Sequence, residues 1–178
     1  MKRFAIAVGH RSKAQGAFSP HLCKTEFEFN SPIAESLSDI ADIYYRPNTP
    51  WLSEGGRIKK LVNEINLTQY DMALELHFDA FPDPRANGAS ALHYITNRRT
   101  KEAAAKFTQM MYDTFGIRRR SNIAVTTRKQ NGGTWIIDNH ADALLVEPFF
   151  GSNLKDCQAI KGCEEEYSQL LRELLLTS

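Results

Sequence analysis

Short apolar runs alternate with amphipathic stretches of helical length along the chain. The apolar runs predict buried strands at residues 4–8, 43–45, 71–77, 89–95 and 143–146. Apolar positions at helical spacing predict four helices between and after them. These are a helix opened by Ser31 as N-cap and Pro32, a helix capped by Ser53, a helix over 100–115 ended by Gly116, and a carboxy-terminal helix with its apolar side from Ile160 to Leu174.

Strands that alternate with helices are typical of a parallel sheet covered on both faces. We therefore predict a three-layer α/β fold with a mainly parallel mixed sheet flanked by helices. No internal repeat, low-complexity run or linker interrupts the pattern, so a single domain over residues 1–178 is expected. In such sheets, functional groups gather at the carboxyl ends of the strands.

The composition narrows the function classes. With 42% hydrophobic and 24% charged residues, the chain is too apolar for disorder and too often interrupted by charge for membrane insertion. The 22 basic and 21 acidic residues leave a net charge of +1, which gives no field for binding nucleic acid. We expect a monomer that folds unaided in water.

The cysteines and the amino terminus bear on location. The 3 cysteines form no CxxC pair and no disulfide framework, and we interpret them as small apolar core residues. The apolar run at the amino terminus ends at Val8 without a small-residue cleavage site, so no signal peptide is predicted. The protein is expected to be cytoplasmic at synthesis and to reach any target outside only after a membrane breach.

Three of the predicted strands end at a residue that can bind metal or move a proton: His10, His77 and Glu147. Catalytic zinc commonly takes three protein ligands from His and Glu. Glu26, Glu28 and Glu75 are candidates for the third ligand, and spacing alone does not choose among them. Glu75 shares a strand face with His77, which also suits it to orient that imidazole.

Several short segments occur in an order that covers nearly the whole chain. They are Gly9-His10, Gly16-Ala17, Glu26 with Asn30, Leu74-Glu75-Leu76-His77-Phe78-Asp79-Ala80, Gly88, and Leu145-Val146-Glu147-Pro148-Phe149-Phe150-Gly151-Ser152-Asn153. Together they resemble the zinc-dependent N-acetylmuramoyl-L-alanine amidases, the family of bacterial cell-wall amidases and phage endolysins. The order of the segments, with the final Val-Glu-(x)5-Asn element, carries the resemblance.

The resemblance implies a role for each matching residue. His10, Glu26 and His77 match the zinc ligands, with Asn30 selecting Glu26 over Glu28, and Glu147 matches the catalytic glutamate. The implied reaction is hydrolysis of the amide bond between N-acetylmuramic acid and L-alanine of peptidoglycan, in a phage-type lytic enzyme. Three departures are visible: Arg11-Ser12 stands where the family usually has two glycines, Glu75 where it has a small polar residue, and Pro32 where the family's first helix is normally under way.

Two alternative functions use the same residues. One is a zinc amidohydrolase or carboxypeptidase that acts on a small N-acyl amino acid or on another cell-wall bond. The other is a peptidoglycan-binding module without catalysis. Glu147 favours an enzyme over the second alternative, because a binding module has no need of a proton shuttle beside the metal.

Overall fold

The computed structural model describes residues 2–178 and contains one large sheet, one small sheet and six helices within that range. The strands are β1 (Phe4–Val8), β2 (Phe18–Ser19), β3 (Lys24–Thr25), β4 (Ala41–Tyr45), β5 (Met72–Leu76), β6 (Ser90–Tyr94), β7 (Ile123–Val125) and β8 (Asp142–Glu147). The helices are α1 (Glu26–Glu35), α2 (Glu54–Ile65), α3 (Arg98–Phe115), α4 (Gly133–Asp138), α5 (Leu154–Ile160) and α6 (Glu164–Thr177).

The large sheet has six strands in the order β4-β1-β5-β8-β6-β7. The first four of these run parallel to one another, whereas β6 pairs with β8 in the antiparallel direction and β7 lies parallel to β6. The carboxyl ends of β4, β1, β5 and β8 therefore lie at one edge, which we call the carboxyl edge. The remaining strands, β2 and β3, form a small antiparallel hairpin just before α1.

Helices cover both faces of the sheet, because successive strand residues point to opposite sides. On β1, Phe4, Ile6 and Val8 belong to a core shared with α1, α3, α5 and α6. Ala5 and Ala7 face a second core, built with α2 and α4. This arrangement confirms the predicted three-layer α/β fold. No helix within residues 2–178 is both long enough and apolar enough to span a bilayer.

The first helix begins earlier than the sequence pattern predicted. Thr25 is its N-cap: the Thr25 hydroxyl accepts from the Glu28 amide at 3.2 Å, and the Glu28 carboxylate accepts from the Thr25 amide at 2.8 Å. This reciprocal capping box fixes the start at Glu26, and Pro32 lies inside the helix instead of opening it. The prediction of a start at Ser31 was wrong because the capping box at Thr25 starts the helix earlier, and the helix continues through Pro32 despite the backbone hydrogen bond that a proline cannot donate.

Two other parts of the chain also differ from the sequence-based expectation. The polar stretch after α3 contains the short strand β7 and the helix α4, and the carboxy-terminal helix is divided into α5 and α6. The division falls at Gly162, whose φ of +80° suits glycine. Of the cysteines, only Cys157 is a buried core residue; Cys23 is exposed and Cys163 half-buried.

Candidate metal centre and catalytic groove

The carboxyl edge of the sheet brings together four side chains that are far apart in the sequence. His10 lies just beyond β1, His77 directly follows β5, and Glu147 is the last residue of β8. Arg46 directly follows β4. All four line or border a single groove of about 740 Å³ that also includes Glu26 from α1.

His10, Glu26 and His77 form a compact group. Their ligating atoms all lie within 4.8 Å of one another. Glu26 bridges the two imidazoles: its Oε1 lies 3.1 Å from Nε2 of His10, and its Oε2 lies 3.1 Å from Nδ1 of His77. The two rings meet edge to face with centroids 5.0 Å apart. Such a group could hold a metal ion.

The position of Glu26 follows from the local structure of α1. As the first residue of the helix it points its carboxylate toward the carboxyl edge, where the amides of Ala17 and Phe78 donate to it at 2.9 and 3.3 Å. Glu28 instead lies in the capping box and is largely exposed to solvent. The two acidic residues that the sequence left as alternatives therefore have different surroundings, and only Glu26 contacts the histidines.

Glycines make room for this group. A Cβ on Gly16 would lie 2.5 Å from Cδ2 of His10 and 2.8 Å from Oε1 of Glu26, and Gly16 has a φ of +80°. A Cβ on Gly9 would lie 2.5 Å from the His77 ring. His10 itself has a φ of +66°, a conformation that non-glycine residues adopt rarely and that is enriched at functional sites. The backbone is thus shaped to bring the side chains close together.

The electrostatics of the side chains alone favour an ion-paired cluster. Burial opposes ionisation of Glu26, but hydrogen bonds from His10 and His77 outweigh it and lower the pKa of Glu26 to about 2. Burial also disfavours the cationic form of His77, yet hydrogen bonding to Glu26 and Glu75 raises the pKa of His77 to about 10. A metal ion at Nδ1 of His77 would therefore have to displace a proton.

Glu75 lies behind His77, on the side away from Glu26. It is buried, with 1% of its surface exposed, and its Oε2 is 3.6 Å from Nε2 of His77. Arg46 compensates the buried charge, with Nη2 at 2.5 Å from Oε1 of Glu75. Although burial raises the pKa of Glu75, Arg46 and His77 lower it to about 2, so the carboxylate stays ionised.

Glu147 faces the same groove but is not part of the compact group. Its Oε2 is buried and has no hydrogen-bond partner in the described range 2–178. Burial, with Asp79 and Glu26 nearby, raises the pKa of Glu147 to about 8. A carboxyl group with a pKa near neutrality and a free oxygen is suited to accept and return a proton.

The sequence as a whole matches one protein family. The model of the N-acetylmuramoyl-L-alanine amidases matches residues 5–173. The chain belongs to the N-acetylmuramoyl-L-alanine amidases. These enzymes act on peptidoglycan, and the observed fold is the fold of the family.

Solved amidase structures share the architecture at low sequence identity. The catalytic domain of an endolysin targeting Clostridia Difficile is 17% identical, with a TM-score of 0.79 over 100% of this chain and 98% of that chain. The CwlD amidase from Clostridioides difficile, solved in complex with the GerS lipoprotein, is 16% identical, with a TM-score of 0.78 over 100% of both chains. An N-acetylmuramoyl-L-alanine amidase from Clostridium difficile is 16% identical, with a TM-score of 0.75 over 99% of this chain and 95% of that chain. No curated protein sequence matches the amidase chain.

Two residues that follow β8 brace the groove of the amidase. Asn153 caps α5 through the Asp156 amide, and its Nδ2 donates to the carbonyl of Pro84 at 2.7 Å. The buried Asp156 carboxylate accepts from the amides of Gly88 and Phe150 at 2.7 and 3.0 Å. The loops that follow His77 and Glu147 are thereby fixed to the same helix.

The sequence patterns missed two charged contributions to the amidase groove. Arg46 could have been found by the reasoning that selected His10 and His77, because it also directly follows a strand at the carboxyl edge. Asp79 accepts from Arg120 at 2.7 Å, and the Arg120 guanidinium lies 4.6 Å from the Phe150 ring centroid. That pairing joins residues 41 positions apart, so no local pattern indicated it.

Proposed function

We propose that this amidase is zinc-dependent and hydrolyses the amide bond between the lactyl group of N-acetylmuramic acid and L-alanine. His10, Glu26 and His77 would hold the zinc ion, and Glu147 would act as the general base and general acid. The observation that supports the proposal is the compact His-Glu-His group in a groove that also contains the unpartnered carboxylate oxygen of Glu147.

The donor atoms fit zinc. Two imidazole nitrogens and one carboxylate oxygen are a common ligand set for catalytic zinc, which keeps a further position for water or substrate. A bound zinc ion would supply Lewis-acid chemistry, polarising the scissile carbonyl and lowering the pKa of water toward about 7. The half-buried His10 and the open groove leave access for a polymeric substrate.

Glu147 would move the proton that the reaction requires. As a carboxylate it takes a proton from the attacking water, and as a carboxylic acid it gives that proton to the departing amine. Protonation of the leaving nitrogen is necessary because an amine anion is a poor leaving group. Burial beside Asp79 makes both states of Glu147 accessible near neutral pH, since its pKa is raised to about 8.

Analysis of the end groups released from purified peptidoglycan tests the bond that is cut. Hydrolysis at the lactyl-alanine bond creates a free amino group on L-alanine and leaves the glycan strands intact. We therefore expect labelling to find new amino-terminal L-alanine, with no increase in reducing sugar ends.

Other products would identify the alternatives. New amino groups on other residues, or activity confined to small N-acyl amino acids, would indicate a different zinc amidohydrolase or a carboxypeptidase. Binding without any new end group would indicate a non-catalytic module. Reducing sugar ends alone would contradict amide hydrolysis altogether.

A lytic role of the phage type is part of the proposal, supported by the likeness to an endolysin catalytic domain over the full length of this chain. Bacteria that express the amidase in the cytoplasm should grow until the membrane is permeabilised and then lyse rapidly. Chelators should block that lysis, since the activity is proposed to need zinc. Lysis that is unaffected by zinc removal would contradict the proposal.

A further inference from the structure

The two ring nitrogens of His77 face two different carboxylates. Nδ1 is 3.1 Å from Oε2 of Glu26 and belongs to the compact group, whereas Nε2 points away from it, 3.6 Å from Oε2 of Glu75. When one nitrogen of a neutral imidazole binds a metal, the other carries the proton. With a metal on Nδ1, the proton of His77 is on Nε2, and this buried N–H needs an acceptor.

Glu75 is placed to be that acceptor. Glu75 lies on β5, two residues before His77, which directly follows the strand. Their side chains therefore leave the same face. Arg46 engages Oε1 of Glu75 through Nη2 and engages Glu54 through Nη1 at 3.1 Å. Oε2 of Glu75 is thereby left facing the imidazole.

Arg46 cannot take over this role, although its Nη2 lies 3.4 Å from Nε2 of His77. A guanidinium has only donors and no acceptor, so it cannot receive the imidazole proton. Its contribution is to neutralise Glu75, whose unpaired charge would be costly at 1% exposure. The three side chains form one network, in which Arg46 pairs with Glu75 and Glu75 faces Nε2 of His77.

We propose that Glu75 is a positioning residue: it accepts the Nε2 proton of His77 and so fixes the tautomer and ring orientation that present Nδ1 to the metal. The proposal rests on the proposed zinc site and adds to it the residue that orients one ligand. Carboxylate partners of this kind raise the basicity of a ligating imidazole, and their loss typically lowers metal affinity about 10–100-fold.

The test is zinc affinity, measured by competition with a chelator, in the full chain and in Glu75→Gln. The amide keeps the size of the side chain, and its oxygen stays with Arg46, so its nitrogen faces Nε2 and cannot accept. We expect the dissociation constant for zinc to rise about 10–100-fold. The Nε2 proton of His77, observed by NMR in the zinc-bound protein, should exchange faster with solvent, whereas Glu75→Asp should restore part of the affinity.

Asp142→Asn is the matched control, because it also converts an arginine-paired carboxylate to an amide, with Arg99 Nη1 at 3.0 Å, but lies at the amino end of β8, away from the groove. Its zinc affinity should stay within about threefold of the original, because the side chain contacts none of the proposed zinc ligands. Equal losses in the control and in Glu75→Gln would overturn the proposal in favour of general loosening. Unchanged affinity and unchanged Nε2 proton exchange in Glu75→Gln would also overturn it.

A second variant keeps the test decisive if Glu75→Gln folds poorly with Arg46 left unpaired. The double variant Arg46→Gln/Glu75→Gln removes both charges together and should fold with similarly weak zinc binding; recovery of the original affinity would contradict the proposal.

His77→Ala distinguishes failure of the proposed zinc site from failure of the role of Glu75. If it keeps zinc, the proposed ligand set fails, whereas if it loses zinc while Glu75→Gln does not, only the role of Glu75 fails.

Discussion

Amide hydrolysis by the Glu147→Gln variant is expected to fall about 10²–10⁴-fold, with zinc content and fold retained. The glutamine side chain has nearly the same shape but cannot take a proton from water. The structure favours a selective effect because the Glu147 carboxylate has a buried oxygen without a partner in the described residues 2–178. Replacement of that oxygen therefore takes an acceptor away from no described donor. Product release from purified peptidoglycan and metal analysis of the same preparation are the measurements.

The result distinguishes two roles for Glu147. If the variant loses its zinc together with its activity, then Glu147 is a metal ligand and the assignment of a proton shuttle is wrong. If it keeps both zinc and full activity, another group moves the proton. Asp79 would then be the first residue to replace, because it lies in the same groove.

Substitution of the histidines is expected to have the other large effect. His10→Ala and His77→Ala each remove one of three proposed ligands, so both should lose most bound zinc and nearly all activity. Three proposed ligands from separate parts of the chain come together only in the folded protein, so zinc binding is expected to stabilise the fold. The thermal stabilisation that we expect from zinc in the unaltered protein should therefore be small or absent in both variants. Metal analysis and thermal unfolding with and without zinc are the measurements.

Glu28→Gln is the control for this experiment, since Glu28 is two residues from Glu26 yet contacts only the capping box. It should keep its zinc. Zinc loss in Glu28→Gln with retention in Glu26→Gln would exchange the two assignments. Full zinc and full activity in both histidine variants would place the metal elsewhere.

The sequence predicted the parts of the site that depend on strand ends. His10, His77 and Glu147 each follow or end an apolar run, and the carboxyl ends of parallel strands necessarily meet at one edge. The choice between Glu26 and Glu28 could not be made from spacing, because both precede the predicted helix. In the structure a capping box decides their surroundings, and its pattern, Thr25 followed three residues later by Glu28, is visible in the sequence.

Other features could not be predicted, for different physical reasons. The strand β7 has only three residues and α4 only six, too few to establish a hydrophobic period. The Arg46–Glu75 pair joins residues 29 positions apart through tertiary packing. Local patterns report which face of an element is buried, but they do not report which buried charges meet.

The order of strands in the sheet has a consequence for biosynthesis. β8 is the last strand to be made, yet it lies between β5 and β6 in the middle of the sheet. Until β8 is synthesised, β1 can pair with β4 and β5, and β6 can pair with β7. No strand then joins β5 to β6. The nascent chain thus has an open edge at β5 and lacks Glu147. Residues up to Glu147 must therefore leave the ribosome before this sheet can close, and the proposed proton shuttle is added only with its last residue.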